Sequence, residues 1–548
     1  MKEAIDFDPV TLEILWSRLI AISDESAAAL VRTSFSTIVR ESNDYACALL
    51  DAEGNSLAES TLSIPAFIGT LPRTLRHCLD RFPPATLRQG DAILTNDPWM
   101  ATGHLHDFTL VAPVFHRGKL VAFAGNIAHT PDIGGANWTA DARELFEEGL
   151  RVVPAKLMKA GRLNEELADL IRANVRVPEQ VIGDLHAQVS AAEVCGRRLV
   201  DLLEEQGMDD LHALGDAIQD RAEVAMRQAI EAIPDGEYDF SVETDGFDWP
   251  LTIKIKIAIK GSDLRVDFAG TSPQIDRGLN SVYNYTYAYT TYPLKCILDP
   301  FTPKNEGSFR PITIEAPEGT ILNPRFPCPV DARQLTGHYL TAAVFGAMAR
   351  AIPDRVIADS GGPPIRIVYS GASEGGGKFS QIVFPWGGMG ARPKQDGLPC
   401  TPFPSNSGCG SFEAMESISP LVIWQRKMIP DSGGAGRSRG GLGQEIIIEL
   451  ISPEQARVSI LSERLRHPPL GLLGGESGAP AGIKLNDGDP LPPKGRTVFK
   501  PGDVVRLRYA GGGGYGSPRE RERAKVLDDL KNELITPEAA RDIYGVDV

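Results

Sequence analysis

Asp97, His104, His106 and Asp107 fall within eleven consecutive positions of a 548-residue chain that has nine His. They lie in the stretch TNDPWMATGHLHDFTLV, residues 95–111. A loop that only turns a corner needs no such cluster. Imidazoles beside carboxylates suit two kinds of chemistry: coordination of a divalent metal, and proton transfer near neutral pH.

The residues that follow supply the geometry. FTLVAPVFHRGKLVAFAGNIAH, residues 108–129, holds two apolar runs around His116-Arg117-Gly118-Lys119. That pattern predicts an antiparallel hairpin turning near Gly118. Residues whose numbers sum to roughly 235 then face each other across such a turn. Asp107 and His129 sum to 236, which places them opposite one another at the open end, with Cβ atoms on the order of 5 Å apart. A bulge or a slip in register would spoil the facing.

His104 precedes Asp107 by three residues, and Gly103 lets that loop fold back. His104, Asp107 and His129 are therefore expected to converge. Two imidazoles and one carboxylate suit Mn²⁺, Zn²⁺ or Fe²⁺ with positions open to water or substrate, an arrangement that favours catalysis over a structural role. The competing reading is a set of polar loop residues satisfied by hydrogen bonds. Asp97 could be a fourth ligand, or an acceptor that holds a His tautomer. His106 is a candidate substrate contact or proton carrier.

The elements around this cluster follow from periodicity. Leu12, Leu15, Leu19 and Ile22 predict a helix over 9–37, with Asp8 and Pro9 as its start signal. CALLDAEGNSLAES, residues 47–60, predicts a hairpin, residues 70–82 a helix, and GDAILTND, residues 90–97, a short buried strand. Residues 139–230 read as mostly helix. After Gly236 the period changes to two, and YDFSVETDG and LTIKIKIAIKGSDLRVDFAG predict antiparallel strands. One more helix is expected in GHYLTAAVFGAMARAI, strands over 440–462 and 496–509, and an amphipathic surface helix in the charged tail. The fold class is α+β, mixed and multi-domain. A helical and hairpin N-terminal part precedes an antiparallel β-rich, glycine-rich C-terminal part. The expected domains are 1–235 with the metal site, 236–360, and 361–548.

Composition narrows the function. The chain is 42% apolar and 23% charged, the profile of an ordinary globular protein. A net charge of −16 disfavours nucleic acid and anionic membrane as partners. The N-terminal residues lack the apolar run of a signal peptide, and no apolar stretch is long enough to span a membrane. Seven dispersed Cys form no C-x-x-C pair, as expected of reduced thiols in the cytoplasm. The glycine clusters GGAGRSRGGLG and GGGGYG have neither the phosphate-loop spacing nor a strand before and a helix after. They read as turns or close backbone approaches, so ATP would have to sit on another chain.

HLHD, AHTPDIGG, NVRVPEQVIGDLHAQ, GGAGRSRGGLG and GGGGYGSPRERERAKVL, in this order, give the chain a resemblance to the hydantoinase B / 5-oxoprolinase family. That family includes the B-type component of N-methylhydantoinases and is related to the large subunits of acetone and acetophenone carboxylases. The resemblance runs over about residues 8–546. It implies a partner, a hydantoinase A-type ATPase subunit that holds ATP-Mg and phosphorylates a small-molecule substrate. A hetero-oligomer with a homodimeric core is expected. In the carboxylase relatives a His, an Asp three residues later and a further His hold Mn²⁺, and these positions match His104, Asp107 and His129. Asp97 and Asp132 become candidates for a general base. Arg40, Glu41 and Asp44, in VRESNDY, become candidates for the substrate pocket. No fused ATPase half stands in these 548 residues, which favours a two-subunit cyclic-amide hydrolase. The alternatives are a component of a ketone carboxylase and a non-catalytic scaffold.

Overall fold

The structure is a computed structural model. It describes every residue except 1–6, 137, 363, 374–376, 487, 489 and 548. Its centre is a seven-stranded antiparallel sheet. In spatial order the strands are Ser56–Glu59, Tyr45–Asp51, Lys119–His129, Asp107–His116, Ala92–Thr95, Ala155–Lys159 and Arg162–Leu163. The two longest are legs of the expected hairpin. Arg117 and Gly118, at φ 49° and 78°, make its turn, the double positive φ that matches right-handed strand twist. One bulge falls between Val114 and Phe115, and beyond it Asp107 pairs with His129.

Helices Pro9–Thr33 and Pro178–Gln206 pack against each other, the latter also covering both legs of the hairpin. Asp8 caps the first, its carboxylate accepting from Val10 and Thr11. That helix stops at Thr33, short of 37, because Ser34 turns extended; a four-residue helix, Thr37–Arg40, follows. Residues 139–164 hold no α-helix: loops, one 3-10 turn at Leu145–Glu147 and the last two strands of the sheet fill them, and α-helix begins at Glu165. Helices Glu165–Asn174, Pro178–Gln206 and His212–Glu231 account for the rest of that region.

A second sheet holds Gly236–Thr244, Leu251–Lys260 and Asp263–Asp267, plus a parallel strand, Ile312–Glu315, that sequence periodicity missed. The helix Tyr283–Leu298 was also missed. It is built of Tyr and Thr with Pro293 inside, a composition that reads as strand or turn. Two further four-stranded sheets lie within 365–508. The tail is not one helix but two, Arg523–Lys531 and Pro537–Asp542, around a small core of Val526, Ile535 and Ala540. No described helix is long and apolar enough to cross a membrane.

Of the two readings of the glycine clusters, close backbone approach prevails, with a left-handed turn at Gly516. Gly441 donates to Met389, Gly512 to Gly441, Gly434 to Gly512, and Gly388 to Ala510, all backbone to backbone. None of these four donors has positive φ. Each is Gly because a Cβ would run into a neighbouring carbonyl; at Gly441 it would meet the oxygen of Leu398. Extended segments thus lie side by side with no side chains between them.

Candidate metal centre

The open end of the hairpin brings the first-named residues together. His104, Asp107 and His129 are 2%, 0% and 2% exposed. One potential ligand atom from each lies within 4.8 Å of the others. Asp107 begins one strand and His129 ends its neighbour. His104 sits in the preceding loop, where Gly103 at φ 95° makes the bend and a Cβ would clash with Arg333 and Val282.

The carboxylate of Asp107 is shared. Its Oδ1 lies 2.8 Å from His129 Nδ1 and 2.9 Å from His104 Nε2. Its Oδ2 accepts from Thr102 Oγ1 at 2.7 Å and from the Arg333 guanidinium at 2.6 Å. Burial opposes its charge, but the Arg333 guanidinium and the hydrogen bond from His129 outweigh that and hold it well below the usual carboxylate range.

The protons on His104 can be placed. Its Nδ1 lies 3.1 Å from the Asp331 carbonyl oxygen. A carbonyl only accepts, so Nδ1 carries the hydrogen. Burial, then Arg333, pushes the imidazole down to about 4, so it is neutral at pH 7. Nε2 therefore turns a bare lone pair toward a carboxylate oxygen, and no hydrogen bond joins them. Two lone pairs in buried contact are unfavourable unless a cation lies between them. His106 Nδ1 and Nε2 and His129 Nε2 are likewise buried without a hydrogen-bond partner. Each such orphan costs roughly 1–3 kcal/mol. The donor set fits a divalent cation bound by nitrogen and oxygen.

His106 is part of this cluster. Its ring stacks on His129 at 5.3 Å, and its Nε2 is 3.5 Å from Asp331 Oδ1. Trp138 closes the other side, 4.9 Å from His129. Asp44 also approaches: its carbonyl accepts from His129 N at 3.1 Å, and burial raises its carboxyl to about 6.

Four other candidates are held elsewhere. Asp97 is neither a ligand nor a tautomer clamp, because its carboxylate pairs with Arg151 at 2.5 Å and caps Trp99 N. Asp132 is not a free base: Arg176 takes it at 2.6 Å and Gly134 N donates to it. Arg40 and Glu41 are exposed and line a separate groove of about 220 Å³ with Phe35, Lys378 and Met415.

The sequence reading missed the groups that come from far along the chain. Asp331 is buried beside His106, its carboxyl raised by burial to about 8. Glu148 accepts from the backbone N–H of Val330 and Asp331 and fixes that loop. Arg366 is buried with one guanidinium nitrogen unpartnered, 5.5 Å from the Trp138 ring. The charged pair in PVDAR, residues 329–333, amid apolar sequence, was the available signal. Arg333 holds the candidate ligand Asp107. Arg333→Gln is expected to weaken metal affinity about 10- to 100-fold with the fold retained, measured by competition with a chromogenic chelator.

A buried two-imidazole, one-carboxylate centre at the mouth of a hairpin, inside a mixed α+β chain, defines a candidate metalloenzyme. The sequence model described as Hydantoinase B/oxoprolinase matches residues 8–518. The chain belongs to that family. It is 32% identical to a protein named as the B-type component of a D-/L-hydantoinase from Pseudomonas sp. (strain NS671), over 99% of this chain and 95% of the relative. It is 30% identical to the beta chain of the caprolactamase from Pseudomonas jessenii, over 98% and 96%. The crystal structure of the ATP-dependent caprolactamase from that organism superimposes with a TM-score of 0.90, covering 99% of this chain and 97% of that one. A nucleotide-free acetone carboxylase superimposes at 0.89 with 19% identity, covering 98% of this chain and 80% of that one, and so shares the fold.

Proposed function

We propose that the chain is the B-type catalytic subunit of an ATP-dependent cyclic-amide hydrolase. A hydantoinase A-type partner would bind ATP-Mg and phosphorylate the substrate oxygen. The two would form a hetero-oligomer with a homodimeric core. The observation that carries the proposal is the buried convergence of His104, Asp107 and His129, with one potential ligand atom of each within 4.8 Å of the others.

His104, Asp107 and His129 would hold the ion, and His106, whose ring stacks on His129, would contact the substrate or carry a proton. A divalent ion bound there supplies Lewis acidity toward a substrate oxygen, or acidity to a water. The remaining work falls to the chain's own groups. Arg333 keeps Asp107 ionised and oriented. Arg366 has a buried, unpartnered guanidinium N–H that suits an anionic intermediate. Trp138 walls the centre from water. Asp331 and Asp44, both raised by burial, are the carboxyls placed to take or give a proton, in place of Asp97 and Asp132.

The test is a reconstitution. The chain and its co-purified partner are assayed for ATP-dependent turnover of hydantoins, lactams and aryl ketones. The expected result is ring opening of a cyclic amide coupled to ADP release, without bicarbonate, and no ATP hydrolysis by the chain alone. A requirement for bicarbonate with a ketone would assign the pair to the carboxylases. ATP hydrolysis by the pure chain would overturn the division of labour.

A further inference from the structure

A second cavity lies on the outer side of the loop that carries Trp138. Its volume is about 330 Å³, within the range of small-molecule pockets. One wall is the turn Gly135-Ala136 with Arg176 beside it; the other is the face of a sheet. That sheet pairs Ile365–Ala372 with Ala456–Ser462, and the latter with Lys494–Phe499. In this register Arg457 stands opposite Ser370 and Val498, and Ser459 opposite Val368 and Arg496. Strand alternation puts all of these on one face, while Val458, Ile460 and Phe499 go to the core on the other.

Three arginine side chains thus line one concavity: Arg176, Arg457 and Arg496. Among the described residues, no acidic side chain lines it. Arg176 is partly used by Asp132, and Arg496 pairs with Asp141 at 3.1 Å at the edge. Arg457 has no acidic partner among the described residues. In a chain of net charge −16, a cavity lined by three arginines and no acid runs against the surface trend. Asp132 and Asp141 compensate Arg176 and Arg496 from outside the wall, and the charge of Arg457 faces the concavity without an acid. Planar guanidiniums match the oxygens of phosphate and carboxylate.

We propose that this cavity, between the Gly135-Ala136 turn and the Arg457–Arg496 sheet face, binds a phosphate- or carboxylate-bearing small molecule. Its floor is tied to the metal centre. Ser459 Oγ donates to the Trp138 carbonyl at 2.7 Å, and the Trp138 ring packs on His129. An anion held by Arg457 and Arg496 therefore lies on the strand that bonds the Trp138 backbone. The inference does not depend on the metal reading.

Calorimetric titration of the full chain with inorganic phosphate, and separately with succinate, tests it. Arg457 and Arg496 are exposed strand residues, so Arg457→Gln/Arg496→Gln leaves the core intact, a point circular dichroism checks. The expected result is saturation of the wild type by at least one anion with a dissociation constant at or below about 5 mM. The double variant should bind it at least about tenfold more weakly. Which anion binds distinguishes the two sources. Failure of both anions to bind at that level overturns the proposal, as does binding to the double variant within a factor of about three. The second outcome would place the anion elsewhere, the metal centre included, since that is untouched by these substitutions.

Discussion

His104→Ala or His129→Ala is expected to lower the bound transition metal from about one equivalent to below about a tenth. Turnover of the reconstituted complex should fall by about a thousandfold or more, the several kcal/mol that a Lewis acid supplies. The fold should survive. His129 ends, and His104 lies in the loop leading into, a hairpin whose interior is held by Phe108, Leu110, Ile127 and Phe123, all buried. In His104→Ala one orphaned nitrogen also disappears, and with it the lone-pair contact with Asp107. Stability gives an independent readout. Chelator should lower the melting temperature of the wild type, because an ion that binds only the folded state stabilises it. It should leave His104→Ala unmoved. Turnover within tenfold of wild type in a variant shown to be metal-free would contradict this assignment.

The second large effect lies far from the metal. Gly441→Ala is expected to cost more than about 4 kcal/mol, enough to leave the chain largely insoluble. The added methyl would meet the carbonyl oxygen of Leu398 and the amide of Met389. Both are backbone atoms of extended segments that are themselves hydrogen-bonded, so no rotamer change relieves the overlap. Gly118→Ala is the control. It sits at φ 78° with nothing within 4 Å of the new methyl, so only the left-handed backbone is penalised, by about 1–2 kcal/mol. Urea denaturation midpoints separate the two cases. Equal costs at the two positions would mean that the stacked segments tolerate side chains and are not packed as described.

The hairpin and its metal-facing end were legible because local signals agree there. Arg117-Gly118 between apolar runs defines the turn, counting outward from it sets the register, and the bulge at Val114–Phe115 shifts the pairing by one. That shift makes Asp107 and His129 partners, in line with their sum of 236. Helix Pro178–Gln206 and the strands after Gly236 were equally plain from their periods.

What could not be read is what tertiary contact decides. Asp331 and Arg333 reach the centre from more than two hundred positions away. No local pattern says that Arg333 meets Asp107 while the neighbouring acids Asp97 and Asp132 are spent on Arg151 and Arg176. Arg40 and Glu41 share a sequence stretch with Asp44, yet the chain turns at Asn43, φ 51°, and sends them to the surface. The edge strands within 155–163 read as helix from sequence because their short, mixed composition carries little periodicity.

The central claim is that His104, Asp107 and His129 share one cation. Anomalous diffraction from crystals of the full chain, purified without chelator, tests it most directly. The account predicts a single strong peak within about 2.0–2.3 Å of one atom from each of the three side chains. No peak there, with His104 Nε2 instead hydrogen-bonded to an ordered water, would contradict it.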